Sequence, residues 1–132
     1  MVDALREAHR VLGPSGVLID VRPLVEPIEV GVMLGAQPVW TKTVEAYSAP
    51  DDIAAADNAV QHAVSHEWIA FGASLLFTFD IYCDTAAELR TYVEGRKLCG
   101  AEIPYAELDE RAGHPARLRC RRPWMLSTYR QK

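Results

Sequence analysis

The fold is decided near the start of the chain, where residues 4–20 read ALREAHRVLGPSGVLID. Apolar residues recur at helical spacing in the first part of this stretch, which predicts an amphipathic helix over 2–12. Glycine and proline in the turn 13–16 then end the helix and reverse the chain. The apolar, β-branched run 17–21 has the composition of a strand that is buried on both faces of a sheet. The stretch therefore predicts a helix that returns directly into a buried strand.

Capping signals and apolar periodicity predict the elements that follow. In chain order they are a hairpin over 27–47, a helix over 51–68, a strand over 74–83, a helix over 86–94, a short helix over 103–112 and a strand over 115–129. The hairpin is expected to turn at 35–38, with its second strand over 39–47. Ser48 or Asp51 is the expected cap of the following helix. Since no repeat or linker separates these elements, one domain over residues 1–132 is expected.

The closing strand carries most of the positive charge of the chain. Residues 111–132 hold seven Lys/Arg and no Asp/Glu, whereas the whole chain has a net charge of −4. Alternation places Arg117, Arg119 and Arg121 on one face, where neighbouring acidic helices are expected to neutralise them. Interleaved aromatic residues also suit a nucleic-acid surface, but the pI of about 5.5 argues against a nucleic-acid partner. Pro123 predicts a bulge or bend within this strand.

Composition is that of an ordinary globular protein, with 49% apolar and 24% charged residues. No apolar run is long enough for a membrane span, and the first residues do not resemble a secretory signal. We therefore expect a cytoplasmic protein, and the Ala/Arg-rich composition favours a bacterial source. The three cysteines, Cys83, Cys99 and Cys120, are expected to be reduced and to serve as small buried apolar residues.

Motifs that carry chemistry are few. His62 and His66 have the i, i+4 spacing of a helical metal site and precede Glu67, but no third ligand is evident, so no metal is expected. The sequence contains no Gly-x-Ser-x-Gly motif, phosphate-binding loop or Cys/His catalytic arrangement, so catalytic residues stay unassigned.

A candidate crevice lies at the end of the strand 17–21. Asp20 and Arg22 stand where open α/β sheets place their ligand, at the carboxyl end of a strand. Three aromatic residues are expected to line the same substrate or partner crevice: Trp40, Trp68 and Tyr82. The alternative interpretation is structural, with Asp20 and Arg22 as an ion pair and the aromatic residues as core.

The stretch 4–20 resembles the segment of class I S-adenosylmethionine-dependent methyltransferases in which a helix leads into the fifth strand of the sheet. Ser15 stands where the family usually has the first of two glycines. The helix 51–68 and the strands 74–83 and 115–129 are similar, in order, to the closing elements of those enzymes. The resemblance implies an α/β fold: a partial Rossmann-like methyltransferase sheet of mixed or antiparallel strands, with flanking helices and an inserted β-hairpin over 28–47. In that family the last strand of the sheet lies antiparallel between the fifth and sixth strands.

The family holds its methyl donor on a glycine-rich loop after the first strand. No Gly-x-Gly-x-Gly pattern occurs in this sequence, so the resemblance assigns no cofactor-binding residue. We expect no bound cofactor in the isolated chain, and S-adenosylmethionine only if a missing half completes the site. In that case Asp20 or Arg22 would orient the methyl acceptor.

In that family the strand 17–21 pairs with a fourth strand, for which this sequence has no counterpart. An open apolar edge favours association, and three arrangements would cover it: the hairpin, a second copy or another chain. A homodimer or partner chain joined through the edge Val17–Val21 is expected. Two functions therefore stand beside each other, a methyltransferase-like domain that lacks its own donor site and a non-catalytic dimerisation or interaction module. A small-molecule binder ranks below both.

Overall fold

The computed structural model describes residues 1–96, 98–100 and 103–132. The helices are α1 (Val2–Val11), α2 (Pro50–Ser65), α3 (Ala86–Gly95) and α4 (Tyr105–Arg111). The strands are β1 (Val17–Pro23), β2 (Ile28–Leu34), β3 (Gln37–Val44), β4 (Ala46–Ser48), β5 (Ile69–Cys83), β6 (Leu98–Gly100) and β7 (Ala116–Gln131). None of the helices in the described part of the chain is both long and apolar enough to cross a membrane.

The main sheet has five strands and is organised around the long strand β7. β1 pairs antiparallel with residues 124–130 of β7, and β2 pairs antiparallel with residues 116–121. β3 continues the sheet beyond β2, and β5 also pairs with β7. Side-chain contacts join Ala73 to Thr128 and Asp80 to Arg121, so β5 and β7 run in opposite directions. The predicted α/β class is confirmed, with an open antiparallel sheet.

Backbone contacts divide the chain into two compact units. The first unit comprises residues 1–23, 50–77 and 124–132, and the second comprises residues 24–49 and 78–123. Each of the long strands β5 and β7 is divided between the two units.

The core of the first unit lies between its two helices and one face of its strands. Ala63, Ile69 and Tyr129 are buried at its centre, and Leu5 and Leu18 pack around them. Small residues line the buried stripe of α2, which lets the helix approach the sheet closely: Ala56, Ala59 and Ala63. No residue of α1 is buried, although the helix is amphipathic as predicted.

The core of the second unit lies between α3, α4 and one face of β2 and β7. Leu89, Leu108 and Leu118 are fully buried there. Cys83 and Cys120 are free and buried, which confirms the prediction for these two, and burial raises the pKa of Cys120 to about 11. The side chain of Cys99 lies outside the described residues.

The cap of α3 follows from local sequence. The Thr85 hydroxyl accepts a hydrogen bond from the backbone N–H of Glu88 at 3.1 Å, and the Glu88 carboxylate accepts one from the N–H of Asp84 at 2.8 Å. This reciprocal arrangement satisfies two N–H groups at the helix start. The predicted helix 86–94 and its cap in the pair 84–85 are confirmed.

Helix α2 ends three residues earlier than predicted. The Ser65 hydroxyl and His66 Nδ1 both bond the carbonyl of His62, and Glu67 adopts a left-handed φ of 59°. A helix cannot continue through that conformation, so β5 begins at Ile69 and not at residue 74. At its other end α2 begins at Pro50, which places Asp51 in the first turn and not at the cap.

The hairpin is tighter than predicted. Gly35 has a φ of +60°, which permits a two-residue turn at 35–36, so β3 begins at Gln37. β3 ends at Val44, and residues 46–48 pair instead with residues 98–100 in a separate two-stranded sheet. The predicted second strand 39–47 was therefore wrong at both ends. Short strands such as β4 and β6 carry no periodicity that sequence reasoning detects.

Pro123 lies where β7 changes partners. On its carboxyl side β7 pairs with β1 from Trp124 onward, and on its amino side it pairs with β2 up to Arg121. Its carbonyl accepts a hydrogen bond from the N–H of Leu24 at 2.9 Å. Between the two pairings the partner segment has five residues, 24–28, where β7 has two, 122 and 123. The proline therefore marks a change of strand partner and of register, and a bend of β7 itself at this point stays a prediction.

Candidate functional site

β1 lies at one end of the main sheet and, within the described part of the chain, pairs with β7 alone. The hairpin β2–β3 does not pair with β1, since β2 pairs with residues 116–121 of β7. Alternate residues of β1 therefore direct their backbone polar groups toward an edge that no described strand pairs. Such an edge is a template for pairing with another chain unless lysine, proline or a covering segment protects it.

One face of β1 is also exposed. Val17, Ile19 and Val21 alternate along the strand and are 44%, 60% and 45% exposed. The prediction that this strand is buried on both faces was therefore wrong. The helices α1 and α2 cover the other face, toward which Leu18 points. The apolar run has the composition of a strand with helices on both faces of its sheet. Among the described residues, helices cover only one face of β1.

The same exposed face extends across β7 and β5. Leu126 of β7 lies opposite Val21, and Trp124 lies opposite Pro23, so both share the face of Ile19. The ring of Phe77 in β5 lies 6.5 Å from that of Trp124. Leu75, two residues earlier on β5, is 62% exposed. We call this surface the uncovered face and define it by Val17, Ile19, Val21, Leu75, Phe77, Trp124 and Leu126.

None of the seven members of the uncovered face is charged, and the charged Arg130, which lies opposite Val17 on the same face, stands at its rim. Contiguous apolar patches of more than a few hundred Å² are rare on monomers and mark interaction sites. Sequence reasoning missed Leu75, Phe77, Trp124 and Leu126 as surface residues, because their pattern also fits a covered strand. The pairing of β1 with β7 and the ring contact of Phe77 with Trp124 indicate that they share a face with the exposed residues of β1.

On the opposite face, the predicted pair Asp20 and Arg22 is brought together. Arg22 Nη2 lies 2.7 Å from Asp20 Oδ2, and Arg22 Nη1 lies 2.7 Å from Asp57 Oδ1 of α2. Burial opposes the charge on Arg22, but the two carboxylates outweigh it and raise the pKa of the guanidinium. The pair therefore fastens the end of β1 to α2. Sequence reasoning missed Asp57, which belongs to an exposed helix surface.

A small pocket lies beside this ion pair in the first unit. Its volume is about 270 Å³, and its apolar lining includes Met1, Leu5, Leu18 and Val60. Asp20 and Arg22 form its polar end, but they bond each other and Asp57. The arrangement is that of an incompletely filled core and agrees with the absence of buried residues on α1.

The three aromatic residues predicted for the crevice make other contacts. Trp68 follows the carboxyl end of α2, where its ring contacts those of His62 and His66 at 5.4 and 5.8 Å. Asp57 and Ile53, which bond Arg22, lie in the first half of that helix. Trp68 and the ion pair are therefore not one site.

Trp40 and Tyr82 belong to the second unit. The Arg111 guanidinium lies 5.1 Å from the centre of the Trp40 ring, and that of Arg117 lies 5.7 Å from the centre of the Tyr82 ring. Both aromatic residues therefore serve as cation–π partners of their own unit. Of the five residues predicted for the crevice, the described contacts join Asp20 and Arg22.

The two histidines of α2 stack on each other. Their ring centroids are 3.9 Å apart, and His66 Nδ1 lies 2.9 Å from the His62 carbonyl oxygen. That bond satisfies a carbonyl group at the end of the helix. In the residues that the structure describes, no cluster of three or more His, Cys, Asp or Glu side chains has the geometry to hold a metal.

The arginines of β7 pair with acids on neighbouring strands. Arg117 Nε lies 2.8 Å from Asp84 Oδ1, Arg121 bonds both carboxylate oxygens of Asp80 at 2.8 Å, and Arg119 bonds a Glu29 oxygen. The expectation that acidic helices neutralise this face was wrong, since the acids belong to β5, to the residue after it and to β2. Cross-strand pairing explains this, because residues opposite each other in a sheet share a face.

This pairing makes part of the stability depend on pH. The hydrogen bonds of Arg121 hold the pKa of Asp80 below its ordinary value near 3.9. The pair therefore stabilises the fold above that value, and the contribution is lost as pH falls through the lower folded-state pKa. We expect Asp80→Asn to lower the free energy of unfolding by about 1 kcal/mol at neutral pH, and the difference from wild type to shrink below about pH 4.

Chemical denaturation at a series of pH values checks this expectation. The control is Asp3→Asn, because the Asp3 side chain is 96% exposed and lies 3.9 Å from Arg6. A difference between Asp80→Asn and wild type that stays constant from neutral to acid pH would contradict the assignment.

Comparison with known proteins does not identify the chain. No family model matches it, and neither a curated protein nor a solved structure is significantly similar to it.

Proposed function

We propose that this chain is a methyltransferase-like association module, which lacks its own S-adenosylmethionine site and acts through the surface around β1. The observation that carries the proposal is that the free edge of β1 and the uncovered face occur on the same three strands. A sheet normally buries at least one layer of side chains on each apolar face. The first unit supplies that layer on one face only.

The arrangement of strands agrees with what the resemblance implies. β7 lies between β1 and β5 and runs antiparallel to β1, as the last strand of the family does between the fifth and sixth. In such a sheet the donor-binding half would pair with β1 and pack on the uncovered face. Methyl transfer by a complex that includes that half is therefore the second candidate function.

The residues of this chain do not provide the chemistry of donor binding. A methyl donor needs a glycine-rich turn between a strand and a helix, whose N–H groups approach the ligand closely. The turn 13–16 connects a helix to a strand, and the turn 35–36 connects two strands. Arg22 bonds both Asp20 and Asp57. In a completed enzyme, the first role of Asp20 and Arg22 would therefore be to hold β1 in place, and orienting an acceptor would come second. We infer a cytoplasmic setting for either candidate.

Isothermal titration calorimetry with S-adenosylhomocysteine tests the proposal. We expect no measurable heat of binding for the purified chain at ligand concentrations of about 1 mM. Such a result means that the dissociation constant exceeds about 1 mM, which corresponds to a binding free energy weaker than about −4 kcal/mol. Native mass spectrometry of the same sample is expected to show an assembly larger than one chain. Micromolar binding by a monomer would overturn the association module and favour a complete enzyme.

A further inference from the structure

We propose that the uncovered face is the surface on which a second copy of this chain packs, sheet against sheet. The inference rests on the proposed association function and names both its partner and its surface. It also replaces the free edge of β1 as the principal contact, since an edge contact alone would leave most of the uncovered face in water.

The area of the face suits a dimer. Four members of the face are 44–62% exposed and together leave roughly a few hundred Å² of apolar surface open: Val17, Ile19, Val21 and Leu75. The half-buried members bring the total to the order of 500 Å² per copy. Two copies then reach a total of about 1,000 Å², which is the lower limit for a specific interface and corresponds to a weak dimer.

The chemistry of the face suits a second copy of itself. The chain has a net charge of −4, so two copies repel each other unless the contact avoids charged residues. None of the seven members of the face is charged, and the charged Arg130 lies opposite Val17 at its rim, so the centre of a two-fold interface holds no like-charge contacts. Aliphatic and aromatic side chains on facing sheets interdigitate at a spacing of about 10 Å, as in β-sandwiches. The same face on a second copy is such a surface, and it is present wherever the chain itself is present.

The geometry of β5 separates contact through the face from contact through the edge. Leu75 lies on β5, and β7 separates this strand from β1. A charge at Leu75 therefore disturbs packing on the face and leaves the edge of β1 intact. Leu76 is the matched control, because it is the next residue, is 67% exposed against 62% for Leu75, and points to the other side of the strand.

Sedimentation velocity on wild type, Leu75→Lys, Leu76→Lys and Ile19→Lys tests the proposal at about 50 µM, where a micromolar dimer is mostly assembled. We expect wild type and Leu76→Lys to be dimers. Leu75→Lys and Ile19→Lys should dissociate at least about tenfold more readily, because each places two lysines in the apolar centre of the interface. Circular dichroism should show unchanged folding, since both leucines are exposed.

Each other outcome overturns a different statement. If Leu75→Lys remains a dimer while Ile19→Lys is a monomer, the contact is the edge of β1, and the face proposal fails while the association function stands. If Leu75→Lys and Leu76→Lys dissociate equally, the uncovered face has no special role and the proposal fails. If wild type is a monomer, a second copy does not occupy the face and the proposal fails. If native mass spectrometry also shows no assembly larger than one chain, the association function fails as well.

Discussion

Leu118→Ala is expected to lower the free energy of unfolding by roughly 3 kcal/mol, a large share of the stability of a small domain. Leu118 has no exposed surface, lies opposite Val32 in the pairing of β2 with β7, and belongs to the same buried cluster as Leu89 and Leu108. Truncation leaves a cavity between the sheet and both helices, which a rigid strand cannot close. Urea denaturation followed by circular dichroism measures the change.

Val39→Ala is the control for this prediction. Val39 is an aliphatic residue of the neighbouring hairpin, but it is 59% exposed. Its truncation should change the free energy of unfolding by no more than about 0.5 kcal/mol. Equal effects of the two substitutions would show that the core of the second unit does not lie where the structure places it.

Glu29→Gln is expected to cost roughly 2 kcal/mol, because it removes the carboxylate partner of a buried guanidinium. The Arg119 side chain is 7% exposed, and its Nε has no hydrogen-bond partner among the described residues. Loss of the Glu29 charge leaves the positive charge of Arg119 in a poorly solvated position. The cost stays below that of a fully buried pair because Glu29 itself is 34% exposed.

Asp84→Asn provides the matched control on the same face. Its partner Arg117 is 53% exposed and Asp84 is 70% exposed, so the surrounding water screens their pairing. This substitution should cost less than about 1 kcal/mol. The double variant Glu29→Gln with Arg119→Met should recover part of the loss, since it removes the unpaired charge. Equal costs for Glu29→Gln and Asp84→Asn would contradict the burial assigned to Arg119.

Local signals made the helix–turn–strand start and the capped helix α3 predictable. Glycine and proline in the turn 13–16 end α1 whatever surrounds it, and Thr85 caps α3 through bonds within four residues. The Arg face of β7 was also predictable, because alternation along a strand is a property of the backbone. The acids that pair with those arginines were not, because their positions depend on the register of three strands.

The burial of β1 could not be predicted from its composition. A run such as 17–21 is equally apolar whether one layer or two layers cover it, so the sequence indicates how much cover the strand needs and not how much it has. The candidate crevice meets the same limit of local patterns. Asp20 and Arg22 are two residues apart on one strand and must share a face, whereas Trp40, Trp68 and Tyr82 come from separate elements whose packing no local pattern determines.

The central claim is that the surface around β1 is an association surface whose occupant is a second copy. Sedimentation velocity of the wild-type chain over a range of about 1–100 µM tests it most directly. The mass is expected to rise with concentration from 14.7 kDa toward twice that value. A constant mass of 14.7 kDa over the whole range would contradict the account.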